Sequence, residues 1–169
     1  MDKDLILIGM PGCGKSAMGK QLAKRLNREF VDLDTEIEKD SGMTIPQIFE
    51  KYGEVGFRKT ETGVFEKSLK GGRVIATGGG IVTVEKNREF AKKGCVLFID
   101  RPLEKIFGDI DTEKRPLLAD GKERLNKLYS QRYQFYLDWA DIRVINDTDF
   151  EDVIKRILNE VNYYENNGD

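Results

Sequence analysis

The sequence predicts an α/β fold, a five-stranded parallel sheet flanked by helices on both faces. Three observations carry this. Short apolar runs at residues 5–8, 29–32, 73–76, 95–99 and 142–145 alternate with helical stretches, the pattern of a sheet covered on both sides. The first run ends in Gly9-Met10-Pro11-Gly12-Cys13-Gly14-Lys15-Ser16, which fits G-x-x-x-x-G-K-S between a strand and a helix. Polar or glycine-rich residues follow strands one, two, three and five, and ligands of such sheets sit at the carboxyl ends of the strands. These segments are therefore expected on one rim.

Each element has its own local reason. Residues 15–26 are helical, with Met18, Leu22, Ala23 and Leu26 on one stripe. After strand 29–32 comes Leu33-Asp34 and a short helix over 35–40, broken by Ser41-Gly42-Met43. Thr44-Ile45-Pro46-Gln47 has the form of a capping box, with proline tolerated in the first turn, and opens a helix to Tyr52. A further helix over 55–69 turns Phe57, Val64, Phe65 and Leu69 inward until Gly71-Gly72 stops it. Strand 73–76 opens into Thr77-Gly78-Gly79-Gly80, and a helix over 84–93 leads to strand 95–99. Pro102 starts a helix that fades near Ile110. Residues 109–120 are polar and charged around Arg115-Pro116-Leu117-Leu118 and read as a mobile loop. A long helix over 123–139 precedes strand 142–145. Thr148 to Glu151 can cap the last helix, whose Val153, Ile154, Ile157, Leu158 and Val161 have core spacing, and 162–169 read as a frayed tail.

Composition narrows the function. The 169 residues suit one domain, 1–169, and no run approaches a membrane span. Met1-Asp2-Lys3-Asp4 leads straight into the first strand, so no leader is expected, and Cys13 and Cys95 suggest no disulfide framework. A cytoplasmic monomer is the expectation. The net charge of −2 argues against a nucleic-acid partner. The chain has no histidine, so any proton acceptor should be a carboxylate.

The glycine-rich loop specifies phosphate binding. The backbone amides of Gly12, Cys13, Gly14, Lys15, Ser16 and Ala17 line a concavity at a helix N-terminus, where the dipole favours anions. Lys15 reaches the β- and γ-phosphates of ATP, and the Ser16 hydroxyl can ligate Mg²⁺. Asp32 and Asp34 lie two apart past the second strand, so on an extended segment both face the cleft. Beside such a loop, Mg²⁺ needs an oxygen ligand and a hydroxyl nucleophile needs a base, one Asp for each task. Arg58 and Glu61 have the spacing of an ordinary surface ion pair, and Arg132 that of a solvated helix face. Arg115 has the stronger claim, since mobile arginines stabilise a transferring phosphoryl group. Three successive glycines, Gly78 to Gly80, cost backbone entropy unless something must approach the chain closely.

Taken together, Gly9 to Ser16, Asp32-x-Asp34, Phe57-Arg58-x-x-Glu61, Gly78-Gly79-Gly80, Arg115-Pro116-Leu117-Leu118 and Arg132 resemble the shikimate kinases in order and spacing, over residues 4–161. The resemblance implies a P-loop kinase fold with a substrate-binding segment (33–61) and a lid (109–120). It implies ATP-dependent phosphorylation of the shikimate 3-hydroxyl, on the route to chorismate and the aromatic amino acids. Asp34 would hold the shikimate hydroxyls and act as base, and Asp32 would act on Mg²⁺ through water. Arg58 and Arg132 would clamp the shikimate carboxylate in planar fork geometry. Glu61 would orient Arg58, and Gly79 and Gly80 would let backbone amides reach the substrate. The lid would carry Arg115 onto the phosphates and exclude water.

Two positions depart from the family. The Arg that stacks on adenine in many relatives falls on Gly108, leaving Phe107 as the nearby aromatic. Residues 146–149 also lack the basic residue often found there, so binding is expected to rest more on the phosphates. Gluconate or nucleoside monophosphate kinases are the nearest rivals but lack this motif combination. A GTP-dependent switch would need Asp-x-x-Gly and Asn-Lys-x-Asp, which do not occur. A vestigial binding module should have lost at least one of Lys15, Ser16, Asp32 and Asp34.

Overall fold

A computed structural model describes residues 2–112 and 119–168. The elements follow as β1 (Leu5–Ile8), α1 (Lys15–Leu26), β2 (Glu29–Asp32), α2 (Leu33–Ser41), α3 (Ile45–Ser68), β3 (Arg73–Ala76), a 3-10 turn (Ile81–Thr83), α4 (Glu85–Ala91), β4 (Cys95–Asp100), α5 (Leu103–Thr112), α6 (Ala119–Trp139), β5 (Ile142–Ile145) and α7 (Phe150–Asn167). The five strands form one sheet in the order β2-β3-β1-β4-β5, every pair parallel. All carboxyl ends therefore share one edge, and the loops after β1, β2, β3 and β5 lie along it as the strand pattern predicts. The β1 residues are 0–1% exposed, which explains why that strand is an unbroken apolar run. No helix among the described residues is long and apolar enough to cross a membrane.

Several element boundaries differ from the sequence reading, each for a local reason. Helix α2 begins at Leu33, not residue 35, because Asp32 caps it by accepting from the Thr35 N–H at 3.2 Å. Asp34 thus sits in the first helical turn, not on an extended segment beside Asp32. The capping box at Thr44 forms, with Gln47 N–H donating to Thr44 Oγ1 and Thr44 N–H to Gln47 Oε1. The two helices expected on either side of residue 53 run on as α3, with a kink at Gly53.

The expected loop 109–120 is helical at both ends, as α5 runs to Thr112 and α6 starts at Ala119. Residues 113–118, with Arg115, lie outside the described residues. Asp149, not Thr148, caps α7 by accepting from the Asp152 N–H at 3.0 Å. That helix continues to Asn167 in place of a frayed tail, because Tyr164 packs on the core and Glu165 pairs with Arg28.

Gly53 adopts φ 69° and ψ −175°, a region open essentially to glycine alone. We expect Gly53→Ala to lower stability by about 1–3 kcal/mol in urea unfolding, although a Cβ there meets nothing within 4 Å. An unchanged midpoint would show that the kink relaxes without cost.

Candidate active site

The β1–α1 loop has the geometry expected of a loop that holds phosphate. Gly12 and Gly14 take positive φ, and α1 starts at Lys15 with no side chain capping its first amides. Those N–H groups and the helix dipole remain available to an anion. Lys15 is buried and its Nζ donates to the carbonyls of Gly9 (2.7 Å) and Met10 (3.0 Å), close to Cys13 Sγ at 3.6 Å. Ser16 Oγ donates to Asp32 Oδ2 at 2.8 Å. The helix-capping carboxylate and the loop hydroxyl thus meet as a pair of hard oxygens, which suits Mg²⁺ completed by phosphate oxygens and water. No cluster of three or more His, Cys, Asp or Glu suited to a metal occurs among the described residues.

The other predicted groups converge on Gly78-Gly79-Gly80. A Cβ on Gly78 would lie 3.3 Å from both Asp34 Oδ1 and Glu61 Oε2. On Gly79 it would lie 2.8 Å from Pro11 Cδ, and on Gly80 2.2 Å from the Arg58 guanidinium. The triple glycine is therefore a floor against which α2, α3 and the phosphate loop all press. Here the sequence argument from close approach agrees with the geometry.

Arg58 and Glu61 do not form a surface pair. Glu61 is fully buried and its Oε1 accepts from Arg58 Nη1 at 2.9 Å. Burial pushes the Glu61 pKa up, while the Arg58 guanidinium pulls it down. Two atoms of this pair, Arg58 Nε and Glu61 Oε2, are buried without a hydrogen-bond partner. Burial also raises the Asp34 pKa, assisted by the like charge of Asp32 and opposed chiefly by Lys15. The Asp34 carboxylate nevertheless stays accessible from the cleft.

Arg132 is half-buried on α6, near enough to act electrostatically on Glu61 and on the Tyr136 hydroxyl. A solvated helix face is the wrong description of it. Tyr136 itself was not legible as part of the site. Its fully buried side chain donates from Oη to the Gly79 carbonyl at 2.6 Å. Its position one helical turn beyond Arg132 was the available signal.

A cavity of about 220 Å³ beside the phosphate loop is lined by Gly14, Met18, Arg101, Asn146, Thr148 and Phe150 among others, but not by Phe107. Gly108 has only open space where a side chain would project. Residues 146–149 carry no basic side chain, yet Arg101 and Arg156 reach them from flanking elements. Arg101 Nη1 donates to the Asn146 carbonyl at 2.8 Å and its other nitrogens to Asp109 at 2.7 and 2.9 Å. Arg156 Nη2 donates to the Ile145 carbonyl and Thr148 Oγ1. Asn146 Nδ2 in turn donates to the Cys13 carbonyl at 3.0 Å, tying this loop to the phosphate loop. Larger cavities, about 410 Å³ at the β2 edge and about 690 Å³ along α3, contain neither the phosphate loop nor the glycine floor.

This geometry has known counterparts. A family model described as shikimate kinase matches residues 11–162. A shikimate kinase of Clostridium botulinum (strain Alaska E43 / Type E3) is 45% identical over 159 residues, covering 93% of this chain and 96% of that protein. One from Clostridium beijerinckii is 40% identical over 159 residues, covering 93% and 94%. The structure of a shikimate kinase from Acinetobacter baumannii in complex with shikimate superposes with a TM-score of 0.88 at 36% identity, covering 100% of this chain and 97% of that one. With the model matching most of its length and relatives this similar, the chain belongs to the shikimate kinase family.

Proposed function

We propose how this chain's residues divide the reaction of its family, the ATP-dependent phosphorylation of shikimate to shikimate 3-phosphate on the way to the aromatic amino acids. The observation that carries the assignment of roles is the convergence of α2, α3 and α6 on one glycine floor beside the phosphate loop. A two-substrate site needs donor and acceptor held against each other, and this floor touches both sides through Pro11 and Arg58.

On the donor side, the amides from Gly12 to Ala17 hold the phosphates. Lys15 exchanges its bonds to the Gly9 and Met10 carbonyls for phosphate oxygens. Ser16 Oγ directly, and the Asp32 carboxylate through water, would hold Mg²⁺, which would supply charge neutralisation for the phosphates. The 220 Å³ cavity takes the nucleobase.

On the acceptor side, Arg58 and Arg132 grip the shikimate carboxylate, with Glu61 fixing the Arg58 rotamer. Asp34 accepts the proton of the 3-hydroxyl as its oxygen bonds to the γ-phosphorus and the bond to the β-phosphate oxygen breaks, releasing ADP. Residues 33–61 serve as the substrate-binding segment and 109–120 as the lid of a single domain, with Arg115 stabilising the transferred group. Water exclusion by that lid would keep ATP from being hydrolysed. The form in which we propose that it acts is a cytoplasmic monomer.

Four measurements test these roles. Given a panel of shikimate, gluconate and nucleoside monophosphates with Mg²⁺, ADP release should be coupled to shikimate; turnover with another acceptor instead would sink the reading. Asp34→Asn should lower kcat at least about 100-fold with ATP binding retained. Asp34 works as the carboxylate, so activity is lost as pH falls through its raised pKa. The acidic limb of the wild-type profile should therefore lie above that of an ordinary aspartate. A near-normal rate in the Asn variant would remove the base and leave positioning and electrostatics to carry the step. Arg58→Ala should raise the shikimate KM about 10- to 100-fold with the ATP KM little changed; the reverse split would move Arg58 to the donor side.

A further inference from the structure

We propose that Tyr136 is a positioning residue whose buried hydroxyl selects the orientation of the Gly79–Gly80 peptide and so presents the Gly80 amide to the acceptor. A peptide between two glycines has no Cβ on either side to resist rotation of its plane. Something else must choose which way it faces. The neighbouring carbonyls are pinned locally, Gly78 by the Ile81 N–H at 3.2 Å and Gly80 by Thr83 through N–H (3.1 Å) and Oγ1 (2.7 Å). The Gly79 carbonyl alone is held from a distance, by Tyr136 Oη at 2.6 Å across 57 residues of chain.

In a trans peptide the N–H lies opposite its carbonyl. A Gly79 carbonyl tied to α6 therefore directs the Gly80 N–H away from α6. Neither the Gly79 nor the Gly80 N–H finds a protein acceptor among the described residues. Both are left for a ligand. The tyrosine is suited to the task because its ring is fixed. It stacks on Phe98 at 5.2 Å between centroids and is 0% exposed, so its hydroxyl cannot turn to solvent. Arg132, one turn earlier on α6, lies beside the same hydroxyl. A single helix thereby sets an amide and a guanidinium for the acceptor together.

The inference rests on the acceptor-side reading of Gly80 and Arg132 given above, and steady-state kinetics separate the two. Tyr136→Phe keeps the ring and removes only the donor. It should raise the shikimate KM about five- to tenfold while kcat and the ATP KM stay within about twofold. 4-Aminophenylalanine at this position restores an N–H donor and should return the shikimate KM to within about twofold of wild type. A shikimate KM unchanged in Tyr136→Phe, but raised in Arg58→Ala and Arg132→Ala, overturns the peptide lock alone. If none of the three variants moves it, the acceptor site itself is misassigned. A general loss that raises both KM values and lowers kcat would reduce Tyr136 to packing. Should the Phe variant not fold, 3-fluorotyrosine supplies a stronger donor on a nearly equal ring and should lower the shikimate KM at least about twofold; no change there overturns the proposal.

Discussion

The site depends on a single steric constraint, the contact of four separate groups with three consecutive glycines. Pro11 from the phosphate loop, Asp34 from α2, and Arg58 and Glu61 from α3 all occupy space that a Cβ on residues 78–80 would need. Close-packed interiors respond to added atoms by displacing their neighbours. Here the neighbours are the groups proposed to handle both substrates. The loop after β3 thus fixes how closely Pro11 approaches Asp34, Arg58 and Glu61, the groups proposed to stand on the donor and acceptor sides. The parallel sheet makes this possible by bringing the carboxyl ends of β1, β2 and β3 side by side.

On that floor the charges are arranged against desolvation. Glu61 is fully buried, and removing a carboxylate from water is costly unless a cation answers it. Arg58 does so in one hydrogen bond, yet leaves Glu61 Oε2 and its own Nε without partners. A pair kept for stability alone would be expected to close both. Both atoms are buried, so the shortfall costs stability and offers no contact to solvent. Asp34 shows the same economy of means, with burial and Asp32 raising its pKa against the pull of Lys15. A carboxylate shifted in this direction is a better proton acceptor than a free aspartate.

Much of this was legible from local chemistry. The phosphate loop follows from residue identities and from its place between an apolar strand and an amphipathic helix. The Thr44 capping box follows from rules that act within a few residues. Boundaries went astray where two rules competed within a turn. Asp32, Asp34 and Thr35 all suit a helix start, and the choice of Asp32 as cap pulled Asp34 off the extended segment. At the C-terminus a polar composition suggested fraying, while Arg28 and Tyr164 supply contacts from a distance that hold α7 to Asn167.

By itself, then, the sequence determined the order of strands and helices, the glycine-rich loop between the first strand and helix, and the family resemblance. These rest on periodicity, on glycine's steric freedom and on side-chain chemistry, which neighbours along the chain suffice to express. Tertiary structure alone decided which residues meet. It turned Arg58 and Glu61 from a helical pair into a buried one, brought Arg101 and Arg156 to a loop with no cation of its own, and set Tyr136 against Gly79. Burial and contact between residues far apart in the chain depend on how the elements pack, and no local pattern encodes the partner of a buried hydroxyl.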